Sequence, residues 1–310
     1  MSAVLAGFVR RVGRVFRVLL VATASVAAAA GGAMATRAKG AVDAPAKSAP
    51  EASGFRELEP GLELGAFALG SAGGARATVH VVRVDPARFG FTLLNASAPG
   101  EGETRSAKDW CARAGGVACI NAAMYRADER TATGYMKSGA HVNNAHWNGD
   151  NAVLAFGASD AKAPRARIFD RTCEDVPKES ARYATLVQSI RMLDCQGGNA
   201  WKAQPRKWST AAIGQDAAGR LLLLHARDAL PVHDFVEGLR ALPLKLTRLM
   251  YVEGGPEAQL WVSAGGETHE YLGSYESGFW ENDDNAEGWR IPNVVAVKRL
   301  SPASPADPQP

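Results

Sequence analysis

The sequence lacks the residue pairs on which structural zinc sites are usually built. It contains no CxxC pair, and its six histidines offer no short spacing beyond His141 and His146. Because tetrahedral zinc sites take their ligands from closely spaced cysteines and histidines, we expect no structural zinc site. No cofactor is required by the sequence, and a divalent metal is left open.

Clustered positive charge is also lacking once the amino-terminal segment is set aside. Residues 1–35 contain four of the 35 basic residues and none of the 32 acidic residues, so the rest of the chain has 31 basic and 32 acidic residues. Nucleic-acid binding depends on clustered Lys and Arg side chains that neutralise several phosphates. The even scatter of charge therefore excludes nucleic acid as the expected partner.

No apolar run is long enough to span a membrane. The first seventeen residues contain four arginines and no acid, and the apolar run 18–30 and Ala33-Met34-Ala35 follow. Thirteen residues cover about 20 Å of a hydrocarbon core about 30 Å thick, which disfavours the alternative of an uncleaved anchor. We predict a signal peptide at 1–35, export to the periplasm or the medium, and no membrane span after cleavage.

The cysteines are few and even in number: Cys111, Cys119, Cys173 and Cys195. An exported chain reaches an oxidising compartment, where an even set of cysteines is typical of disulfides. Four cysteines allow three pairings. The sequence-local pairing would close two short loops, which contribute about 2.5 and 3.5 kcal/mol in the chain-entropy treatment.

No internal repeat and no Pro/Ser-rich linker interrupts the chain between Phe55 and Leu300. Residues 36–54 are rich in Ala, Lys, Pro, Ser and Gly without hydrophobic periodicity, and residues 301–310 contain four prolines. We predict a flexible linker at 36–54, a disordered tail at 301–310 and one folded domain over 55–300.

Local patterns predict both strands and helices in that domain. Helices are predicted from the Ser106–Asp109 capping box and from Pro231. The β-rich runs lie at 77–84, 89–95, 117–120, 209–214, 220–225, 248–252 and 258–262. The first two are expected to form a strand-turn-strand unit, and the last four to form two hairpins. This combination predicts an α+β fold, with a single domain, a mixed and largely antiparallel sheet, and packed helices.

Two of the predicted strands end in polar corners. Asn121 ends the strand at 117–120, and Glu253 with Gly254 and Gly255 ends the strand at 248–252. Active sites are often formed by polar side chains that a rigid sheet positions where its strands meet loops. The two glycines allow a positive φ, and their exposed N–H groups could then face a bound anion. The alternative interpretation of this corner is a tight turn in which Glu253 is merely solvated.

Six motifs, taken in order, are similar to the phosphodiester glycosidase family, which includes the lysosomal uncovering enzyme. They are INAAMY from Ile120, VQSIRML from Val187, STAAIGQDAAGRLLLL from Ser209, VHDFVEGL from Val232, MYVEGGPEAQLWV from Met250 and IPNVVAV from Ile291. The resemblance covers about residues 78–297. It implies an exported hydrolase that cuts the bond between an anomeric sugar carbon and a phosphodiester.

The motifs also depart from the usual pattern of the family. Members typically carry Asn-Gly-Gly or Asn-Ala-Gly where this chain has Asn121-Ala122-Ala123, and Asp-Gly-Gly where it has Glu253-Gly254-Gly255. The segment that often reads Gln-Ser-Gly-Pro-Met is here Gln188-Ser189-Ile190-Arg191-Met192. These changes indicate a distinct subgroup with its own substrate.

The bond to be cut indicates which groups the site needs. Phosphate leaves C1 readily, so stabilising an oxocarbenium-like transition state and holding the phosphate matter more than a strong general acid. We predict Glu253 as the base or nucleophile and Arg191 as the phosphate clamp. The predicted substrate-binding residues are Asn121, Tyr125, Gln188, Gly254 and Gly255.

Each assignment has a structural alternative. For Arg191 it is an ion pair with Asp194, for Gln188 a cap on a strand edge, and for Tyr125 a packed loop aromatic. Trp147 lies in a polar loop that would either stack on a sugar ring or be simply solvated.

Two other functions stay open. A non-catalytic carbohydrate-binding protein of the cell envelope would tolerate Glu253 in place of the usual aspartate. A metal-assisted phosphodiesterase would cleave the P–O bond instead of the C–O bond. The expected partner is a sugar phosphodiester or a cell-envelope glycan.

Overall fold

The structure is a computed structural model that describes residues 54–70 and 76–300. The predicted signal peptide (1–35), the predicted tail (301–310) and all of the predicted linker except Gly54 lie outside these residues. Within the two described ranges, no helix is both long and apolar enough to cross a bilayer.

The described part of the chain forms sixteen strands, three short α-helices and one 3₁₀ turn. The strands are β1 (Arg56–Glu59), β2 (Leu62–Gly70), β3 (Arg76–Val84), β4 (Phe89–Asn95), β5 (Ala118–Asn121), β6 (Met136–Ser138), β7 (His141–Asn144), β8 (Ala152–Ala158), β9 (Ala166–Asp170), β10 (Tyr183–Ser189), β11 (Trp208–Asp216), β12 (Leu221–Leu230), β13 (Leu246–Gly254), β14 (Gln259–Ala264), β15 (Glu267–Leu272) and β16 (Asn293–Arg299). The helices are α1 (Ala107–Ala114), α2 (Val176–Ser180) and α3 (Val232–Ala241), and the 3₁₀ turn is Gly255–Glu257.

The strands form three sheets. Sheet I has the order β1-β2-β3-β12-β11-β13, sheet II the order β7-β6-β10-β8-β9, and sheet III the order β15-β14-β5-β16-β4. Every pair of named strands in the described ranges is antiparallel. The predicted α+β fold with a mixed sheet and packed helices is therefore wrong, because the chain is mostly antiparallel β with few helices.

A single central core explains why helices contribute so little. It is filled by the inner faces of all three sheets, with side chains such as Val82, Ile120, Leu154, Ile213 and Leu260. The outer faces bury smaller clusters, in which α3 packs on sheet I, α2 on sheet II and α1 on sheet III. Packing of sheet on sheet already buries most apolar side chains, so each helix only covers part of one outer face.

Local signals correctly place α1, α3 and the first hairpin, whereas the short helix α2 was not predicted. Ser106 Oγ accepts a hydrogen bond from the Asp109 backbone N–H at 3.2 Å, and Gly115 ends α1 with a φ of 62°. α3 begins directly after Pro231, and β11 pairs with β12 as a hairpin. These three predictions are confirmed.

The second predicted hairpin, between 248–252 and 258–262, is wrong. β13 pairs with β11 in sheet I, whereas β14 pairs with β5 and β15 in sheet III. β3 and β4 likewise lie in different sheets. Local sequence shows that a segment is extended, but its partner is chosen by packing across the whole core.

Both disulfides join cysteines that are close in sequence. Cys111–Cys119 links α1 to β5, and Cys173–Cys195 joins cysteines that are 22 positions apart. Of the three pairings that the sequence allows, the structure has the sequence-local one.

The Cys173→Ala/Cys195→Ala double variant is expected to lower the free energy of unfolding by about 3 kcal/mol, because the unfolded chain regains the entropy of that loop. Urea unfolding under non-reducing conditions, followed by tryptophan fluorescence, measures the change. Gln196→Ala, an exposed substitution beside the bridge, is the control and should change this free energy by less than about 0.5 kcal/mol. Equal values for the double variant and the wild type would contradict the prediction.

Candidate active site

Glu253 lies at the end of β13, on the edge strand of sheet I. Its side chain is 3% exposed, and the Gly254 N–H donates to its Oε1 at 3.1 Å. A register shift leaves Val252 as the extra residue between Tyr251, which opposes Ala212, and Glu253, which opposes Ala211 of β11. Such a bulge re-aims the side chain that follows it. Glu253 therefore lies opposite Ala211 on the neighbouring strand, and the Ala211 side chain belongs to the central core.

The backbone after Glu253 has room only for glycine. A Cβ on Gly254 would lie 2.2 Å from Tyr251 Oη and 2.5 Å from Trp208 Cδ1. Gly255 has a φ of 65°, in the left-handed region, whereas Gly254 is extended. Because the Gly254 N–H bonds to Glu253 and both glycines are buried, the expected pair of outward N–H groups is not formed at this corner.

Asn121 joins the two polar corners that the sequence singles out. Its Nδ2 donates to the Glu257 carbonyl at 3.0 Å, and its Oδ1 accepts from the Gln259 N–H at 2.7 Å. The side chain is buried, and both ends of its amide are engaged by the backbone that follows Glu253. Asn121 therefore holds this corner in place.

Gln188 is fully buried and connects two loops of sheet II. Its Oε1 accepts from the Tyr135 N–H at 2.9 Å, and its Nε2 donates to the Asp150 carbonyl at 2.7 Å. The next residue, Ser189, donates from Oγ to the Tyr251 carbonyl at 2.5 Å, which places the end of β10 beside β13. The Gln188 side chain thus holds the loops that carry Tyr135 and Asp150, while its neighbour Ser189 contacts β13, and a role of Gln188 toward a substrate stays a prediction.

Arg191 pairs with Asp170 and not with Asp194. Its Nη1 lies 2.9 Å from Oδ2 of the buried Asp170 and 2.6 Å from Thr172 Oγ1. Burial raises the pKa of Asp170, but hydrogen bonds from Thr172 and Arg191 outweigh burial and hold this pKa below its usual range. Within the described ranges, Arg191 Nε and Nη2 donate no hydrogen bond. The guanidinium is therefore oriented by Asp170 while part of it is available to a ligand.

Tyr125 belongs to an apolar cluster of sheet III. It is buried with Trp110 and Ile291 in the cluster beneath α1, and its backbone forms a bridge with Ala132. The structure thus places Tyr125 as a packed loop aromatic, whereas it brings Asn121, Gln188 and Glu253 to neighbouring backbone segments.

A row of side chains across sheet I was not found from the sequence. His80 of β3 opposes His225 of β12, His225 opposes Ala211 of β11, and Ala211 opposes Glu253 of β13. Since adjacent strands lie about 4.8 Å apart, the His225 and Glu253 backbones are about 10 Å apart. Only the methyl group of Ala211 lies between them in the row. Strand periodicity alone cannot show this, because it does not give the register of neighbouring strands.

His225 is fully buried and neutral. Burial lowers its pKa to about 3, and its Nε2 lies 3.2 Å from the Ala258 carbonyl. The carbonyl requires a proton on Nε2, so Nδ1 is an acceptor, and it has no hydrogen-bond partner in the part of the chain that the structure describes. His80 stacks on Tyr271 with ring centroids 4.1 Å apart, and burial lowers its pKa to about 4.

One group of three metal-ligating residue types is found within the described ranges: Asp170, Cys173 and Cys195. The two cysteines are joined in a disulfide, so they offer no thiolate, and Asp170 is paired with Arg191. These residues therefore do not fit a metal ion.

Gly254→Ala is expected to lower the free energy of unfolding by about 2 kcal/mol or more, because the added methyl group overlaps Tyr251 and Trp208. The matched control is Gly70→Ala, since no atom lies within 4 Å of a Cβ built at that position. Urea unfolding of both variants measures the difference. Equal midpoints would show that the corner has room for a side chain.

The neutral His225 predicts a loss of stability in acid. The unfolded chain protonates this histidine below about pH 6.5, whereas the folded protein does so only near pH 3. Unfolding therefore takes up a proton, and the free energy of unfolding falls as pH drops from 6.5 toward 3, by up to about 1.4 kcal/mol per pH unit. Urea unfolding at pH 7, 6, 5 and 4 should show a shallower slope for His225→Gln than for wild type. The same slope in His225→Gln as in the wild type would refute the assignment.

Solved structures share this fold at low sequence identity. The catalytic domain of zebrafish N-acetylglucosamine-1-phosphodiester alpha-N-acetylglucosaminidase, auto-inhibited by its pro-peptide, matches with a TM-score of 0.57 and 14% identity, over 81% of this chain and 87% of that chain. A hypothetical protein from Synechocystis also matches with a TM-score of 0.57 and 14% identity, over 82% of this chain and 64% of that one. No curated protein matches the chain in sequence.

Structures at such low identity show only the fold, whereas a match to a family model shows the family. The model described as phosphodiester glycosidase matches residues 114–298, which is more than half of the chain. The matched range includes Asn121, Gln188, Arg191 and Glu253. The chain therefore belongs to the phosphodiester glycosidase family.

Proposed function

We propose that this protein is an exported glycosidase that hydrolyses the sugar C1–O bond of a sugar 1-phosphodiester. Family membership supports the class of reaction, and the zebrafish enzyme of the same fold is named for a reaction of this kind. The observation that carries the proposal is the buried carboxylate of Glu253, at the bulged end of β13 and at a corner that Asn121 holds.

In this proposal Glu253 acts as the base. It accepts a proton from water, the water oxygen bonds to C1, and the C1–O bond breaks with its electron pair leaving on the phosphate. As a nucleophile, Glu253 would instead bond to C1 first and water would release the sugar afterwards. Glu257 is a second buried carboxylate, in the turn that follows, and we assign it the second role that glycosidases need.

Arg191 is assigned to the departing phosphate. Asp170 orients its guanidinium through Nη1, which leaves Nε and Nη2 to donate to phosphate oxygens. Asn121 and Gln188 are assigned to positioning, since their amides are engaged by backbone groups. Gly254 and Gly255 are assigned to keeping the corner compact. Tyr125 is assigned a packing role in the apolar cluster on the outer face of sheet III.

Export is part of the same proposal. The basic, apolar and small-residue order of residues 1–35 supports a signal peptide. The two disulfides support an oxidising compartment such as the periplasm or the medium.

The test is hydrolysis of a panel of sugar 1-phosphodiesters by the purified protein and by Glu253→Gln. Loss of the carboxylate should lower turnover by about 10²- to 10⁴-fold, because it removes the proton acceptor while keeping the shape of the side chain. Glu57→Gln is the control, since Glu57 lies on β1, at the opposite edge of sheet I from Glu253, and it should keep full activity. Glu253→Asp, which restores the acid usual in the family, should retain more activity than Glu253→Gln.

Three outcomes would overturn parts of the proposal. Equal turnover by wild type and Glu253→Gln would remove Glu253 from the mechanism. Label from ¹⁸O-water in the released phosphate, instead of the sugar, would show P–O cleavage. No turnover together with sugar-dependent thermal stabilisation would favour a carbohydrate-binding protein.

A further inference from the structure

A depression of about 420 Å³ lies on the outer side of sheet II, away from the central core. Its walls include two aromatic side chains, Tyr135 and Trp147, and two cationic ones, Lys137 and Arg171. Residues of α2, among them Ser180, complete the wall. The volume is within the range of about 300–1,000 Å³ that is typical of small-molecule sites.

The aromatic wall is built before any ligand arrives. The rings of Tyr135 and Trp147 are stacked, with centroids 4.2 Å apart and planes 4° apart. The Arg171 guanidinium carbon lies 5.1 Å from the Trp147 ring centroid. Three planar groups thus hold one another in a fixed arrangement, which lowers the entropy lost on binding.

Backbone hydrogen bonds hold the loop that carries Trp147. Arg171 Nη1 donates to the carbonyls of Asn148 and Asp150 at 2.8 and 2.7 Å. Gln188 Nε2 donates to the same Asp150 carbonyl at 2.7 Å. A buried glutamine and a half-buried arginine therefore support the loop from two directions, and Gln188 acquires a positioning role here.

The depression is cationic. Within the described ranges neither Lys137 nor Arg171 forms an ion pair, and no acidic side chain lines the depression. Asp150 interacts electrostatically with Arg171, but it is buried and does not line the depression, and burial raises its pKa. Two positive charges beside an aromatic wall favour a ligand that is both ring-shaped and anionic.

We propose that this depression is a binding subsite for a saccharide that carries a phosphate or carboxylate group. The C–H face of a sugar ring would stack against the aromatic wall, and the anionic group would lie near Lys137 and Arg171. The subsite is separate from the Glu253 corner, because it lies on the outer face of sheet II while Glu253 lies at the edge of sheet I. The choice of a saccharide rests on the proposed function.

The experiment follows the tryptophan indole signals of the ¹⁵N-labelled protein by NMR during titration with glucose 6-phosphate, glucuronate and glucose. The Trp147 signal is the one that disappears in Trp147→Phe. We expect this signal to shift saturably with both anionic sugars, and glucose to bind about threefold to fivefold more weakly, as one partly exposed charge contact predicts.

Lys137→Gln should reduce the difference between the anionic sugars and glucose without affecting the fold, because Lys137 forms no ion pair in the described ranges and Arg171 remains as the second cation. Lys178→Gln, at an exposed position of α2, is the matched control, and this variant should bind the sugars like the wild type. Comparison of glucose 6-phosphate with glucuronate shows which anionic group the subsite prefers.

The proposal fails if the Trp147 signal does not respond to the anionic sugars, if glucose binds as tightly as they do, or if Lys137→Gln keeps the wild-type preference. Glu253→Gln separates the two sites. If this variant loses the Trp147 response, the sugars occupy the Glu253 corner and the subsite is refuted. A preserved response in a protein without turnover would refute the proposed function while leaving the subsite intact.

Discussion

Packing of three antiparallel sheets around one core is the constraint on which the rest of the structure depends. Each sheet must turn an apolar face inward, so the chain has to leave sheet I after β13 and enter sheet III at β14. That transfer takes place within residues 254–258, where a Cβ at Gly254 or at the neighbouring Gly273 would overlap other atoms at 2.2 and 2.1 Å. The tight passage between sheets sets Glu253 at the strand end, with no bulky side chain directly after it.

Burial then decides the state of the polar side chains near that passage. A buried polar group is costly unless it is hydrogen-bonded, so amides and charges in this region are engaged by the protein itself. Asn121 and Gln188 bind backbone groups, and Asp170 binds Arg191. These residues therefore serve to position the corner and its neighbouring loops, and part of the Arg191 guanidinium remains for a ligand.

Part of the fold could be predicted from local interactions. The Ser106 cap, the start of α3 after Pro231 and the β11–β12 hairpin depend on residues within a few positions of one another. The family resemblance could also be recognised from the sequence, because six motifs occur in order along the chain. Predictions that needed a distant partner were less successful: the hairpin after Glu253 and the mixed sheet with packed helices both differ from the structure.

The amino-acid sequence was enough to identify several extended segments, the starts of two helices, the carboxylate and two glycines that end one strand, and the resemblance to phosphodiester glycosidases. Hydrophobic periodicity, caps and turn residues act over short distances, which is why they can be read from the order of residues. Three other arrangements appear only in the folded chain: His225, Ala211 and Glu253 lie in one row, Arg191 pairs with Asp170, and Trp147 stacks on Tyr135. Those contacts depend on strand register and on the packing of sheets, and both follow from burying the whole core at once.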